Sequence, residues 1–190
     1  LKKEDILSSW SGIRPLIKSA NKSNTQEIVR EHLIISSKNG LISIAGGKWT
    51  TYRKMAQDMM DFLVDKNYLE KRKSCKTKKY KLAGNEEKHK DLEKLISFYA
   101  ISKSTKESLI TLYGNNATVV LNLASELNDF ELIHKDLPYL KAEIIYCVEY
   151  EFVKKSIDFL SRRIGLCFVN KKASSDSVDT VCLEMGKLYN

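Results

Sequence analysis

The chain has 190 residues, with 32 lysines and arginines against 24 acids, a formal charge of +8. That length accommodates one good-sized domain, or a small one with part of another, and no apolar run reaches the ~20 residues of a membrane-spanning helix. The basic balance is compatible with nucleic acid, an anionic membrane or a small anionic substrate. The four cysteines (Cys75, Cys147, Cys167 and Cys182) form no C-x-x-C pair, and His32, His89 and His134 do not flank them at ligand spacing. Cys147, Cys167 and Cys182 sit in apolar-patterned segments and read as reduced core cysteines, and no metal site is expected. Leu1 leads straight into charged residues without a starting methionine or signal-peptide pattern. The expectation is a piece of a longer protein.

In chain order, the first notable element is SWSGIRPLIK, from Ser9 to Lys18. Pro15 biases Arg14 toward an extended backbone, and Gly12 lets the chain pass close to a neighbour. An arginine fixed in this way can meet a phosphate or carboxylate bidentately. Arg30, Glu31 and His32 then precede two β-rich runs, HLIISS and LISIAG, separated by Lys38-Asn39-Gly40. The Asn-Gly step predicts a hairpin. Gly46-Gly47-Lys48-Trp49-Thr50 follows, and Tyr52, Met55, Ala56, Met59, Phe62 and Leu63 recur at helical spacing, so a helix is predicted from about Thr50. Two glycines allow close backbone approach to a ligand. A helix N-terminus with Lys48 beside it favours negative charge. Thr50 and Thr51 can cap the helix or donate to a ligand.

The stretch KRKSCKTKKYK, residues 71–81, has no acid and no apolar period. It reads as a basic linker or exposed loop. Beyond Gly84 the pattern is helical. Leu92, Leu95, Ile96 and Tyr99 mark one face, and Ser104 to Glu107 predicts a capping box before Leu109, Ile110 and Leu112, with Gly114 as the stop. Val119, Val120, Leu123, Ala124 and Leu127 mark the next helix, and Pro138 stands where another can begin. Val178, Val181, Cys182, Met185, Leu188 and Tyr189 make a terminal amphipathic helix. The fold class is therefore mainly α. Residues 1–66 are expected to be the tail of an α/β domain, 67–84 a basic linker, and 85–190 a helical C-terminal domain.

SGIRPL, then REH, then a strand pair, then AGGKWTTYRKMA, in that order and spacing, resembles the FAD-dependent glycerol-3-phosphate dehydrogenases. LPYLKAEIIYCVEYEFVKKSIDFLSRRIGLCF and the closing MGKLYN are similar to that family's C-terminal helical domain, so the resemblance spans almost the whole chain. It implies that residues 1–66 end an FAD-binding domain as a β-hairpin and helix. It also implies oxidation of glycerol 3-phosphate to dihydroxyacetone phosphate, with FAD as cofactor and quinone as acceptor. Gly46, Gly47, Lys48, Trp49 and Thr50 are then cofactor-binding residues, and Arg14, Arg30 and Lys48 substrate-binding ones. No catalytic or metal-binding residue is assigned, and His32 is not taken as a base. The resemblance further implies peripheral association with the mitochondrial inner membrane in a eukaryote, and a homodimer is compatible with it.

The sequence departs from the family in three places. The family's R-R-T-R is Arg162-Arg163-Ile164-Gly165, so these arginines read as structural ion-pair partners. No D-x-[DN]-x-[DN]-G loop is present, so calcium regulation is not expected. No G-x-G-x-x-G follows a strand, so the FAD pyrophosphate grip is missing and these residues alone are not expected to hold FAD or turn over substrate. A glycerol-3-phosphate oxidase shares the same motifs. A basic helical interaction module, for nucleic acid or an acidic protein, is the reading from a different class.

Overall fold

The computed structural model describes residues 2–13, 17, 32–70, 73–85 and 92–189. These fall into two compact units, residues 11–80 and residues 1–10 with 81–190. Among the described residues the only named strands are a single antiparallel pair, and the rest of the regular structure is helical. The mainly α expectation is met.

In the first unit, β1 (His32–Ser36) pairs with β2 (Ile42–Gly46), with Ile34 opposite Ile44 and His32 opposite Gly46. The Asn-Gly signal works through a three-residue loop. Gly40 N–H donates to Ser37 O at 3.0 Å and Ser37 N–H to Leu41 O at 2.8 Å. Gly40 alone takes the left-handed conformation, at φ +84°, while Asn39 keeps a negative φ. One left-handed glycine after a type I turn matches the twist of the flanking strands. β2 ends in Gly46 and Gly47, a 3-10 turn follows at Trp49–Thr51, and α1 spans Tyr52–Asp65. Helix therefore begins within a residue or two of the predicted start, in the tighter 3-10 form.

α1 presents Arg53, Met55, Gln57, Asp58, Met59, Phe62, Leu63 and Val64 as its less exposed positions, and packs against β1. Residues 73–80 carry only a short 3-10 turn, Thr77–Lys79, with Lys73, Lys76, Lys78 and Lys79 exposed.

The second unit contains α2 (Leu92–Ser97), α3 (Lys103–Tyr113), α4 (Ala117–Glu126), α5 (Lys141–Glu151), α6 (Leu166–Val169), α7 (Lys171–Asp176) and α8 (Val178–Tyr189). The expected capping box at Ser104 is corrected. Ser102 is the N-cap of α3, its Oγ accepting from Thr105 N–H at 3.1 Å, while Glu107 pairs with Lys103 on the exposed face. Both serines precede the apolar run, and the sequence rule cannot separate two candidates two residues apart. Pro138 lies three residues ahead of α5 rather than within its first turn. A short bridge between Leu132 and Leu140 joins the two ends of the loop that carries it.

α5 is the centre of the unit. It packs on α4 and α8, and Ala142, Ile144, Tyr146 and Cys147 are all buried. Apolar residues around its circumference make it a core helix rather than a one-sided surface helix. Val120, Leu121 and Ala124 of α4 and Val181 and Met185 of α8 complete that core. The chain leaves α5 through Phe152, left-handed at φ +57°. It then forms a π-helical turn, Asp158–Arg163. Arg162 pairs with Asp158 at 3.0 Å, and Arg163 binds Glu151 through Nε at 2.6 Å and its carbonyl through Nη2 at 2.6 Å. The core-cysteine reading holds for Cys147, which is buried. Cys167 is half-buried, and Cys75 and Cys182 are exposed. Cys182 faces outward because the apolar stripe of α8 is narrower than its run of apolar residues suggested.

Residues 7–10 belong to the same unit. Leu7 O accepts from Lys171 N–H at 3.0 Å, Ser8 Oγ donates to Cys167 O at 2.7 Å, and Trp10 meets Phe168 edge-on at 5.4 Å. Two backbone groups at the α6–α7 junction are satisfied by this segment.

Candidate functional site

Gly46 and Gly47 both have positive φ, +75° and +76°. A side chain on Gly47 would place its Cβ 2.6 Å from Met55 Sδ and 3.3 Å from His32 Cβ. The glycine thus lets the end of β2 lie directly on α1 and the start of β1. Lys48 is extended, and Thr51 closes the turn behind it. Thr51 Oγ1 donates to Lys48 O at 2.9 Å and accepts from Lys48 N–H at 3.3 Å. Lys48, Trp49, Thr50 and Thr51 are all exposed, Trp49 at 91 %.

No side chain caps the start of α1. Its N-cap, Thr51, makes no side-chain hydrogen bond into the helix, and the first turn has no acid. The preceding 3-10 turn supplies backbone partners instead, with Thr51 N–H donating to Lys48 O at 2.9 Å and Tyr52 N–H to Trp49 O, and the helix dipole leaves positive potential beside Lys48. A glycine pair without side chains, a lysine, an exposed indole and a helix start make a platform for a flat, electron-accepting ring system that gains negative charge. These residues fit a flavin.

The neighbouring groups serve the fold. His32 Nε2 lies 3.1 Å from Asp58 Oδ2, and Lys54 pairs with the same carboxylate. The Lys54 hydrogen bond foremost, with His32 adding to it, holds the Asp58 carboxyl below the usual carboxylate range. Arg53 bonds Gln57 at 2.8 Å and Thr77 Oγ1 at 3.1 Å, fastening the basic loop to α1. The hydroxyl of Thr77, 3.0 Å from Cys75 Sγ, lowers that thiol's pKa. His32 is engaged with Asp58. Of the other predicted site residues, Arg14 and Arg30 lie outside the described residues.

Sequence reasoning missed two clusters. One is the Gly47–Met55–His32 packing, whose only sequence trace was Met55 on the helical stripe. The other is a buried polar group in the second unit. Glu143 is fully buried, with Oε1 accepting from Leu140 N–H at 2.7 Å and Oε2 from Tyr113 Oη at 2.9 Å. Its trace was an acid inside the apolar run KAEIIYCV.

Residues 75–190 match the model of the C-terminal domain of alpha-glycerophosphate oxidase. The chain belongs to that family. Its relatives share the preceding residues too. The mitochondrial glycerol-3-phosphate dehydrogenase of Saccharomyces cerevisiae is 32 % identical over 222 residues, covering 100 % of this chain and 34 % of the yeast protein. A probable mitochondrial glycerol-3-phosphate dehydrogenase of Caenorhabditis elegans is 34 % identical over 98 % of this chain and 27 % of its own length. The X-ray structure of glycerol-3-phosphate dehydrogenase from Bacillus halodurans, complexed with FAD, superposes with a TM-score of 0.63 at 29 % identity, over 83 % of this chain and 33 % of that one. The chain thus spans about a quarter to a third of the length of the relatives it matches, and corresponds to their C-terminal part.

Proposed function

We propose that this chain is the C-terminal portion of an FAD-dependent enzyme that oxidises glycerol 3-phosphate to dihydroxyacetone phosphate and passes the electrons to quinone. The supporting observation is the glycine pair opening onto the helical run that starts at Trp49, with Lys48 and Trp49 exposed beside it. It occurs in a chain matched along its length by glycerol-3-phosphate dehydrogenases. On this reading residues 1–66 are the tail of the FAD-binding domain, 67–84 a basic connector and 85–190 the helical domain.

Gly46, Gly47, Lys48, Trp49 and Thr50 lie against the cofactor. FAD, when bound, supplies hydride acceptance. The chain's part is electrostatic and positional. Lys48 and the positive end of the helix dipole offset the negative charge the ring acquires on reduction. Arg14 and Arg30 anchor the substrate phosphate, a dianion suited to fixed guanidinium groups. Lys48, at the ring edge, also faces the substrate. In a eukaryote the complete enzyme sits peripherally on the mitochondrial inner membrane, and helices in residues 85–190 are available for a homodimer.

A glycerol-3-phosphate oxidase is the second reading. The match of residues 75–190 to the oxidase C-terminal domain favours it. The two separate in one experiment on the complete enzyme. Glycerol 3-phosphate should bleach the flavin absorption, and reoxidation by a soluble quinone analogue without peroxide supports the dehydrogenase. Stoichiometric peroxide under air supports the oxidase, and no bleaching refutes both.

A further inference from the structure

Glu143 is the one fully buried carboxyl among the described residues and belongs to no part of the proposed flavin site. It sits at the third position of α5, reaching back to the N–H of its N-cap, Leu140, and across to the phenol of Tyr113 on α3. These two neutral donors are the hydrogen bonds it makes, and no lysine, arginine or histidine among the described residues forms an ion pair with it. A buried carboxylate held by two neutral donors is weakly compensated. The geometry offers a second arrangement. Tyr113 Oη also lies 3.8 Å from Cys147 Sγ, with either atom able to donate. If Glu143 carries a proton on Oε2, it can donate to Tyr113 Oη, and the phenol hydrogen turns to the Cys147 sulfur. Every polar group keeps a partner in both states.

We propose that Glu143, Tyr113 and Cys147 form a buried proton-binding site that ties the α3–α5 junction to pH, tightening it when the proton is bound and loosening it when the proton leaves. Burial pushes the Glu143 carboxyl up to about 7 from its ordinary 4.5, against the lowering effect of its two donors. Burial likewise pushes Tyr113 upward and Cys147 up to about 12, so neither of them ionises near neutrality.

The other groups around the site are accounted for. Tyr139, in the loop before α5, is raised by burial and by the Glu143 charge. On α5 itself, Glu151 is taken by Arg163 of the π turn. Lys141 is paired with Glu131, and Glu184 of α8 with Lys187. α4 turns Val120, Leu121 and Ala124 into the core and sends Asn116, from the turn before it, to Tyr146 Oη at 3.0 Å.

The sign follows from linkage. The folded carboxyl holds its proton more tightly than the unfolded one, so its contribution to stability is complete below about pH 4.5. It is lost as pH rises through about 7. With those two values the folding equilibrium constant falls about 70-fold between pH 5 and pH 8 through this one group.

The test uses the 190-residue chain and Glu143→Gln. Denaturant unfolding at a series of pH values should show the wild-type folding constant falling about 70-fold relative to the variant between pH 5 and 8. Infrared difference spectra of the wild type should show a protonated-carboxyl band that disappears with a midpoint near 7. Tyr113→Phe, which removes a donor to the carboxylate, should move that midpoint upward. Parallel pH profiles for wild type and Glu143→Gln overturn the proposal. So does a band that is gone by pH 5. The infrared measurement decides alone if the glutamine variant does not fold.

Discussion

Gly84 and Gly114 lock the chain entering the helical unit against the turn between α3 and α4. Asn115 N–H donates to Gly84 O at 2.8 Å. A Cβ on Gly84 would lie 2.4 Å from Tyr113 O, and one on Gly114 would lie 2.4 Å from Gly84 O. The obstructing atoms are backbone, so no rotamer change relieves the overlap. Gly84→Ala also forces alanine to φ +82°. Left-handed strain costs roughly 1–2 kcal/mol, local overpacking roughly 1–3 kcal/mol, and loss of the Asn115 bond about 1 kcal/mol. About 4 kcal/mol is expected in all, a large share of a typical 5–15 kcal/mol. For a unit of this size that is a fall in Tm of roughly 15–30 °C. Gly165→Ala is the internal comparison, because Gly165 has φ +64° but open space where its Cβ would stand. It carries strain alone, so a fall of roughly 4–16 °C is expected. Thermal unfolding of both variants by far-UV circular dichroism makes the comparison. If Gly84→Ala melts within a few degrees of Gly165→Ala, the backbone overlap is not what demands glycine there.

Lys48→Met in the complete enzyme should lower turnover by about 10²-fold, as for loss of one preorganised charge-stabilising donor, and make the flavin potential more negative. Unchanged kinetics and an unchanged potential remove Lys48 from the site. Arg14→Ala should raise the KM for glycerol 3-phosphate roughly 10- to 100-fold, the size of one charge-assisted hydrogen bond, while flavin content stays at one per chain. An unchanged KM refutes the phosphate anchor. Arg163→Met removes the pair to Glu151 and the bond to its carbonyl, and should destabilise the helical unit by about 2 kcal/mol. Urea titration should show the midpoint falling at constant m, and a midpoint equal to wild type refutes a structural role.

The elements that carry local rules were legible in the sequence. The Asn-Gly hairpin, the start of α1 behind the glycine pair, the Gly114 stop and the α8 stripe each rest on residues a few positions apart. The candidate site was legible where it is a contiguous string, residues 46–50, because a turn and a helix N-terminus define it locally. The Tyr113–Glu143 bond joins residues 30 apart in the chain, and no periodicity encodes such a pairing. Met55 beneath Gly47 was hidden for a different reason. The stripe identified it as apolar, but only the backbone path of β2 shows that the glycine makes room for it. Ser102 displaced Ser104 as the cap because two hydroxyls compete for one helix start, and the backbone conformation settles it.

Among the described residues the sheet has no third strand on either edge, and its strands are apolar on both faces. Ile34, Ile42 and Ile44 face one way and are half-buried, while Leu33 and Ile35 face the other and are largely exposed. A strand apolar on both faces suits the interior of a larger covered sheet, and an open apolar edge is a template for pairing. This makes the hairpin the natural seam for fragment complementation. Co-expressed with the remaining two-thirds of a relative as a separate polypeptide, this chain should be captured through that edge and recover soluble, flavin-loaded enzyme. Lysine substitutions at Leu33 and Ile35 should suppress that recovery.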